Sequence, residues 1–267
     1  MIRPVEITSA RNPLVMNVLL LQEKPRARRE QNRIVIEGLR EVKLALEAGF
    51  RITDILYSPE LISPADPGFP VTDDPVCRLA SVTPAVFSRM AYREGSGGVI
   101  ALAEPRRFTF GDLRLKNPPL LLVLETVEKP GNLGAMLRTA DAAGIDAVVI
   151  CDPQTDIYNP NAIRSGIGTI FTMPVVTATS EETIAWLRAT GIRIFATALT
   201  AETFYHETDF RSPSAIVMGS EAFGLSDTWL RGADLLVKIP MRGKIDSMNV
   251  SASAAVVVFE AMRQRGF

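Results

Sequence analysis

Three stretches in the second half of this chain gather the residue types that chemistry needs. The first is Pro130-Gly131-Asn132-Leu133-Gly134, followed by Arg138-Thr139-Ala140. If Asn132 caps a helix, Arg138 lies between one and two turns in, offering a guanidinium from an element whose N-terminus already favours anions. The second is Gly219-Ser220-Glu221-Ala222-Phe223-Gly224-Leu225, directly after the apolar run Ala215–Met218. Its two glycines permit close backbone approach or positive φ, and Glu221 is a carboxylate at a strand's end. The third runs from Ile239-Pro240-Met241-Arg242-Gly243 to Asp246-Ser247-Met248-Asn249-Val250-Ser251, a polar loop feeding an apolar helix that Asn249 is placed to cap. Each stretch alone is explained by a turn, a cap or a surface charge; the three in this order are far more specific.

Several other chemistries are excluded. The apolar run Leu120–Leu124 leads into Glu125-Thr126-Val127-Glu128-Lys129, which is neither G-x-G-x-x-G nor a P-loop, so a dehydrogenase, an NTPase and a Rossmann methyltransferase are disfavoured. Cys77 and Cys151, with the single histidine His206, cannot build a disulfide framework or a usual zinc site, and read as thiols in a reducing compartment. His206 lies in the polar stretch Glu202–Asp209 and reads as a surface residue, which leaves no Ser-His-Asp arrangement. No metal is expected.

The elements that must position these loops follow from the pattern. Short apolar runs at 120–124, 147–151, 172–176, 192–197 and 214–218, separated by helical patterns at 132–143, 160–167 and 180–190, predict an α/β fold with a parallel sheet. Ligands collect at the carboxyl ends of such strands. The chain closes on its longest helical signal, from Asn249 through an Ala/Val-rich stretch to Arg263 and Arg265. The first hundred residues read as a smaller α/β unit: helix Asn12–Glu23 with Asn12-Pro13 as cap and first turn, a basic loop, strand Ile34–Ile36, helix Leu39–Ala48 closed by Gly49, strand Ile52–Tyr57, helix Pro84–Met90, a polar loop Arg93–Gly98 and strand Val99–Ala103. The expected organisation is a domain over 1–103, a linker over 104–117 and a second domain over 118–267.

With 47% hydrophobic and 22% charged residues, the 267-residue chain has a globular composition that excludes disorder as its main state. No apolar run approaches the roughly 18–20 residues of a membrane span. Met1–Ser9 has no apolar export signal, so the expected location is the cytoplasm. The net charge of −1 is unevenly spread. Residues 1–117 hold 17 Lys+Arg against 14 Asp+Glu, whereas 118–267 hold 12 against 16. Arg26, Arg28, Arg29 and Arg33 cluster near the start, a basic patch suited to a polyanion.

The sequences N-L-G-x-x-x-R, G-S-E-x-x-G-L and I-P-M-x-G-x-x-D-S-M-N-V-S closely resemble the three motifs of the SpoU/TrmH family, the RNA ribose 2'-O-methyltransferases of the SPOUT class. The resemblance covers residues 118–267, with Met248 where a leucine is usual. Ser9-Ala10-Arg11-Asn12-Pro13 and Ile36-Glu37-Gly38 are similar to the substrate-binding domain of the rRNA-directed branch, related in fold to kink-turn-binding ribosomal proteins. This resemblance implies a deep trefoil knot, a homodimer, and S-adenosylmethionine held around Ala198, Gly219, Ile239 and Met248. It implies a catalytic set of Arg138, Asn132, Glu221, Ser247 and Asn249, with the arginine matching Arg138 assisting as a base. Because a free guanidinium has a pKa of about 12.5–13.8, the role expected here is instead Arg138 on the target phosphate and developing alkoxide, with Asn132, Ser247 and Asn249 orienting the ribose and Glu221 holding Asn132 or Arg138. Arg11, Arg26, Arg28, Arg29, Arg33 and Arg40 are the candidate RNA contacts. The expected substrate is 23S rRNA; the rival readings are a tRNA methyltransferase and a catalytically silent RNA-binding or ribosome-assembly factor.

Overall fold

The computed structural model describes residues 4–92, 95 and 97–266. Arg93, Glu94 and Ser96 of the expected Arg93–Gly98 loop lie outside the described residues, as do Met1–Arg3. The chain divides into two compact units, one formed by Met1–Arg106 with Tyr158–Thr172, the other by Arg107–Ile157 with Met173–Phe267.

In the first unit β1 (Val5–Ile7), α1 (Pro13–Glu23), α2 (Pro25–Gln31), β2 (Ile34–Glu37), α3 (Leu39–Glu47), β3 (Ile52–Tyr57), β4 (Arg78–Val82), α4 (Pro84–Met90) and β5 (Val99–Ala103) follow one another. Their strands form a mixed sheet in the order β1-β4-β3-β5-β2, with β5 antiparallel to both neighbours. Asn12 caps α1 by accepting the Leu14 N–H at 2.9 Å, with Pro13 in the first turn. The basic segment expected as a loop is instead α2. Its burial is one-sided, with Ala27 and Arg28 inward, and it ends on Asn32 in the left-handed region.

The second unit contains β6 (Leu120–Glu125), α5 (Pro130–Ala142) and β7 (Ala147–Cys151). The chain then leaves it for α6 (Pro160–Ser165) and α7 (Thr169–Thr172), which pack on β2 and α3 of the first unit, with the Phe50 and Phe171 rings 5.0 Å apart. It returns through β8 (Val175–Ala178), α8 (Ser180–Ala189), β9 (Arg193–Thr197), β10 (Thr203–Phe204), β11 (Ser214–Met218), α9 (Asp227–Gly232), β12 (Leu235–Lys238) and α10 (Val250–Arg265). The strand expected at 172–176 is therefore displaced to 175–178, because Thr169–Thr172 is helical and Pro174 separates the two.

All seven strands of this sheet are parallel, in the order β10-β12-β9-β11-β6-β7-β8. The central β6, β7 and β11 are buried on both faces, which is why they read as unbroken apolar runs. The segment expected as a linker is divided between the units. Glu104 pairs with Arg51 in the first, whereas Phe108, Phe110, Leu113 and Leu115 pack into the core of the second, Phe110 stacking on Trp186 at 4.5 Å.

Candidate active site

β9, β11 and β12 are joined side by side through β9, and their carboxyl ends deliver residues 197–200, 218–225 and 237–241 to one edge of the sheet. Together with residues from 246–253 these line a cavity of about 510 Å³, within the roughly 300–1,000 Å³ of small-molecule sites. Ala198, Gly219, Ile239 and Met248, the four residues expected at the cofactor, all line it. The turn after β11 closes on itself: the Ser220 N–H donates to the Gly224 carbonyl at 3.0 Å and the Gly224 N–H returns a bond to the Ser220 carbonyl at 3.1 Å. A Cβ on Gly219 would collide with the Gly224 backbone, so only glycine fits there. Gly224 itself sits at φ +70°.

Next to this cavity the three motifs meet through side chains. Asn132 Nδ2 and Asn249 Nδ2 each donate to Glu221 Oε1 at 2.7 Å, and Asn249 Nδ2 also reaches Asn132 Oδ1 at 3.2 Å. Lys129 Nζ bonds Glu221 Oε2. The Lys129 ammonium holds the Glu221 carboxyl below the usual carboxylate range, opposed by desolvation and aided by Asn132; reciprocally, Glu221 raises the pKa of Lys129. Asn249 Oδ1 accepts from the Ser251 N–H at 3.0 Å, so this side chain caps α10 with one end and joins the cluster with the other. Glu221 and Val250 line both the large cavity and a small recess shared with Lys129 and Asn132.

Arg138 and Ser247 stand outside this network. Arg138 is exposed on α5 and makes no hydrogen bond or ion pair among the described residues. Six residues after Asn132, it is about 9 Å further along the helix and roughly 120° around it. Asn132 does not cap α5, as the spacing suggested: the helix begins at Pro130, with Lys129 at the cap position and no side-chain cap bond. Glu221 accordingly holds Asn132, with no bond to Arg138. Ser247 is exposed and lines the cavity without joining the cluster.

Residues 119–259 match the SpoU rRNA Methylase family, and residues 12–101 match the MRM3-like substrate binding domain. The chain belongs to the SpoU rRNA methylase family. The 23S rRNA (guanosine(2553)-2'-O)-methyltransferase RlmP of Bacillus subtilis is 31% identical over 95% of this chain and 98% of its own. The 23S rRNA (guanosine-2'-O-)-methyltransferase RlmB of Ralstonia nicotianae is 41% identical over 57% of this chain, which spans 61% of that relative's length. Among solved structures, an RNA 2'-O ribose methyltransferase superposes with a TM-score of 0.83 at 37% identity, covering 98% of this chain and 100% of the other. An AdoMet-bound rRNA methyltransferase from Sinorhizobium meliloti gives 0.85 at 29%, covering 97% of each.

The basic residues of this SpoU-family chain differ in exposure and in partners. Arg11, Arg26, Arg29 and Arg40 are exposed, Arg26 pairing with Glu30 at 2.6 Å. Arg28 must be withdrawn as an RNA contact. It is 3% exposed and donates to the carbonyls of Leu21 at 2.5 Å and Gln22 at 3.2 Å, tying α2 to the end of α1. Arg33 is half-buried and leans on the fully buried Asp54 at 3.5 Å, which Arg78 also binds, so its charge is largely committed inside the unit.

Two contributors escaped the sequence reading. Lys129 stands 92 positions from its partner Glu221; the only signal was a basic residue preceding the Pro130-Gly131-Asn132 run. Glu125 is buried at the end of β6 and accepts the Ser226 N–H at 2.8 Å, which anchors the far end of the Gly219–Leu225 turn. A carboxylate closing an otherwise apolar strand was the signal there.

Among the described residues no group of three or more His, Cys, Asp or Glu gathers as a metal site, and no helix is long and apolar enough to cross a membrane. Cys77 and Cys151 are free and buried, their thiols pushed up to about 11 and about 12, chiefly by burial.

Proposed function

We propose that this chain methylates a ribose 2'-hydroxyl of 23S rRNA from S-adenosylmethionine. The observation that carries the reading is the junction of one cavity with one polar cluster at the carboxyl edge of the parallel sheet. The cavity fits the cofactor in chemistry as well as volume: Gly219, Ile239 and Met248 give apolar faces and backbone groups for a purine, and Glu221 and Asp246 put carboxylates on the wall for a cationic centre. When bound, the cofactor supplies an electrophilic methyl group.

The chain's own residues must position the hydroxyl, manage its proton and stabilise the charge that develops on oxygen. Glu221, Asn132 and Asn249 hold one another in place through hydrogen bonds, while the Ser247 hydroxyl, outside that cluster, is left to bond the ribose. A guanidinium is a permanent cation, so Arg138 is assigned to the target phosphate and to the forming alkoxide. Its position outside the cavity of its own chain favours action on a neighbouring copy, in a homodimer whose sites are each completed by the partner. The exposed Ala252 of α10 is compatible with close packing of two such helices.

In the same reading, the last strands and α10 form a trefoil knot. The first unit is the RNA-binding domain, with a fold like that of kink-turn-binding ribosomal proteins, and Arg11, Arg26, Arg29 and Arg40 meet phosphates. The working location is the cytoplasm.

Mapping ribose methylation across total RNA from cells with and without the gene tests this directly. Loss of one 2'-O-methyl in 23S rRNA is the expected result. Loss of a tRNA methyl would redirect the substrate, and an unchanged map with no cofactor heat in calorimetry would leave an RNA-binding factor.

A further inference from the structure

Phe223 is 88% exposed, more than any other large apolar side chain among the described residues. Its backbone is nonetheless fixed. The Phe223 N–H donates to Ser220 Oγ at 3.1 Å, and the turn that carries it is closed by the paired Ser220–Gly224 bonds and the backbone packing at Gly219. Two residues earlier, the same turn commits Glu221 to the Asn132–Asn249 cluster. The ring lines the cavity mouth with two other exposed apolar side chains, Leu199 at 60% and Met248 at 43%. A rigid turn that holds an aromatic ring in water beside a site for a ribose is built for a flat partner.

Resting on the methyltransferase reading, we propose that Phe223 is a stacking platform for a nucleobase of the RNA substrate. The base is bonded to C1', the carbon next to the one bearing the 2'-hydroxyl. A ribose presented at the cavity therefore carries its base to the cavity mouth. Single-stranded RNA is read largely by splayed bases on aromatic side chains, and such stacking tolerates any base because each has a π-face. Phe223 thus acts as a positioning residue that contributes to RNA affinity without base identity.

The test compares wild type, Phe223→Ala and Phe223→Trp in filter binding to in vitro transcribed 23S rRNA, calorimetry with S-adenosylmethionine, and sedimentation. Phe223→Ala should weaken rRNA binding about ten-fold, with cofactor affinity within about two-fold and sedimentation unchanged. Phe223→Trp should restore binding, and its indole fluorescence, read against the wild-type background of Trp186 and Trp229, should be quenched on adding the RNA. Unchanged RNA affinity in Phe223→Ala overturns the proposal. So does a loss of cofactor affinity, which would make the ring a cover for the donor, or a change in oligomeric size, which would seat it on a second copy. Binding and quenching need no turnover, so a wild type that methylates no RNA would fail the methyltransferase reading and leave this test readable.

Discussion

Glu221 takes hydrogen bonds from Lys129, Asn132 and Asn249, so one carboxylate joins all three motifs. Because its pKa lies below that of a free glutamate, the carboxylate form is favoured in the folded state. The stabilisation is fully present above the ordinary carboxylate range and is lost as pH falls through the lowered value. Glu221→Gln removes this linkage. The difference in Tm between wild type and Glu221→Gln should be largest near neutrality and shrink below about pH 4, read by thermal melts across that range; a gap independent of pH would exclude the ion pair as its source. Asn249 separates two roles in one side chain. Asn249→Ala should cost about 1 kcal/mol through the lost cap. Asn249→Asp keeps the capping acceptor but sets a second carboxylate against Glu221 and deletes the Nδ2 donor. Its helix content by far-UV dichroism should stay near wild type while methyl transfer falls at least about ten-fold, the scale of a charged hydrogen bond removed.

At the scale of elements, α2 is the informative case. Pro25-Arg26-Ala27-Arg28-Arg29-Glu30-Gln31 has one apolar residue besides its proline and so no amphipathic period, and of its two inward positions one is the small Ala27 and the other is filled by the guanidinium of Arg28 instead of a hydrocarbon. Hydrophobic patterning is blind to that arrangement. It separates the arginines by role: Arg26→Gln with Arg29→Gln should lower rRNA affinity and flatten its salt dependence, by up to about 0.7–0.9 in slope for each phosphate no longer neutralised. Arg28→Gln should instead lower the melting temperature. Equal effects in both experiments would mean that burial does not sort these residues. The same logic explains what was legible elsewhere. β6, β7 and β11 are buried on both faces and were readable as apolar runs, as were the caps Asn12 and Asn249, whose roles are local. β10, β12 and α9 are short, with at most one or two buried residues each, and carry too few periods to read. The cluster residues Asn132, Glu221 and Asn249 were identifiable by motif. Their bonds to one another, and the place of Lys129 among them, join positions 28 to 117 residues apart.

For the molecule as a whole, the second unit must hold together although its chain departs at Ile157 and returns at Met173. Arg265, in the last turn of α10, provides one closure. Its guanidinium donates to the carbonyls of Phe210 at 2.9 Å, Pro118 at 2.9 Å, Pro119 at 3.0 Å and Ser212 at 2.6 Å, joining the final helix to the approaches of both β6 and β11. The group is half-buried and bonded to carbonyls, and burial lowers its pKa. A planar fork can reach four acceptors at once, which a lysine ammonium with three donors on a flexible stem cannot. α10 is capped by Asn249 at the site and tied down by Arg265 at its opposite end, so this anchor holds the helix at a point remote from the cluster. Arg265→Lys should therefore destabilise the protein by on the order of 2–3 kcal/mol, or about 4–12 °C in Tm at 2–4 °C per kcal/mol, in differential scanning calorimetry. Methyl transfer measured well below the transition should stay close to wild type, since Arg265 touches neither the cavity nor the cluster. A variant that melts like wild type would show that the four carbonyls are equally well served by water, and the closure would have to be sought in the packing of α10 on α5 and β11 and in the Gln264 bonds to Thr208 and Phe210.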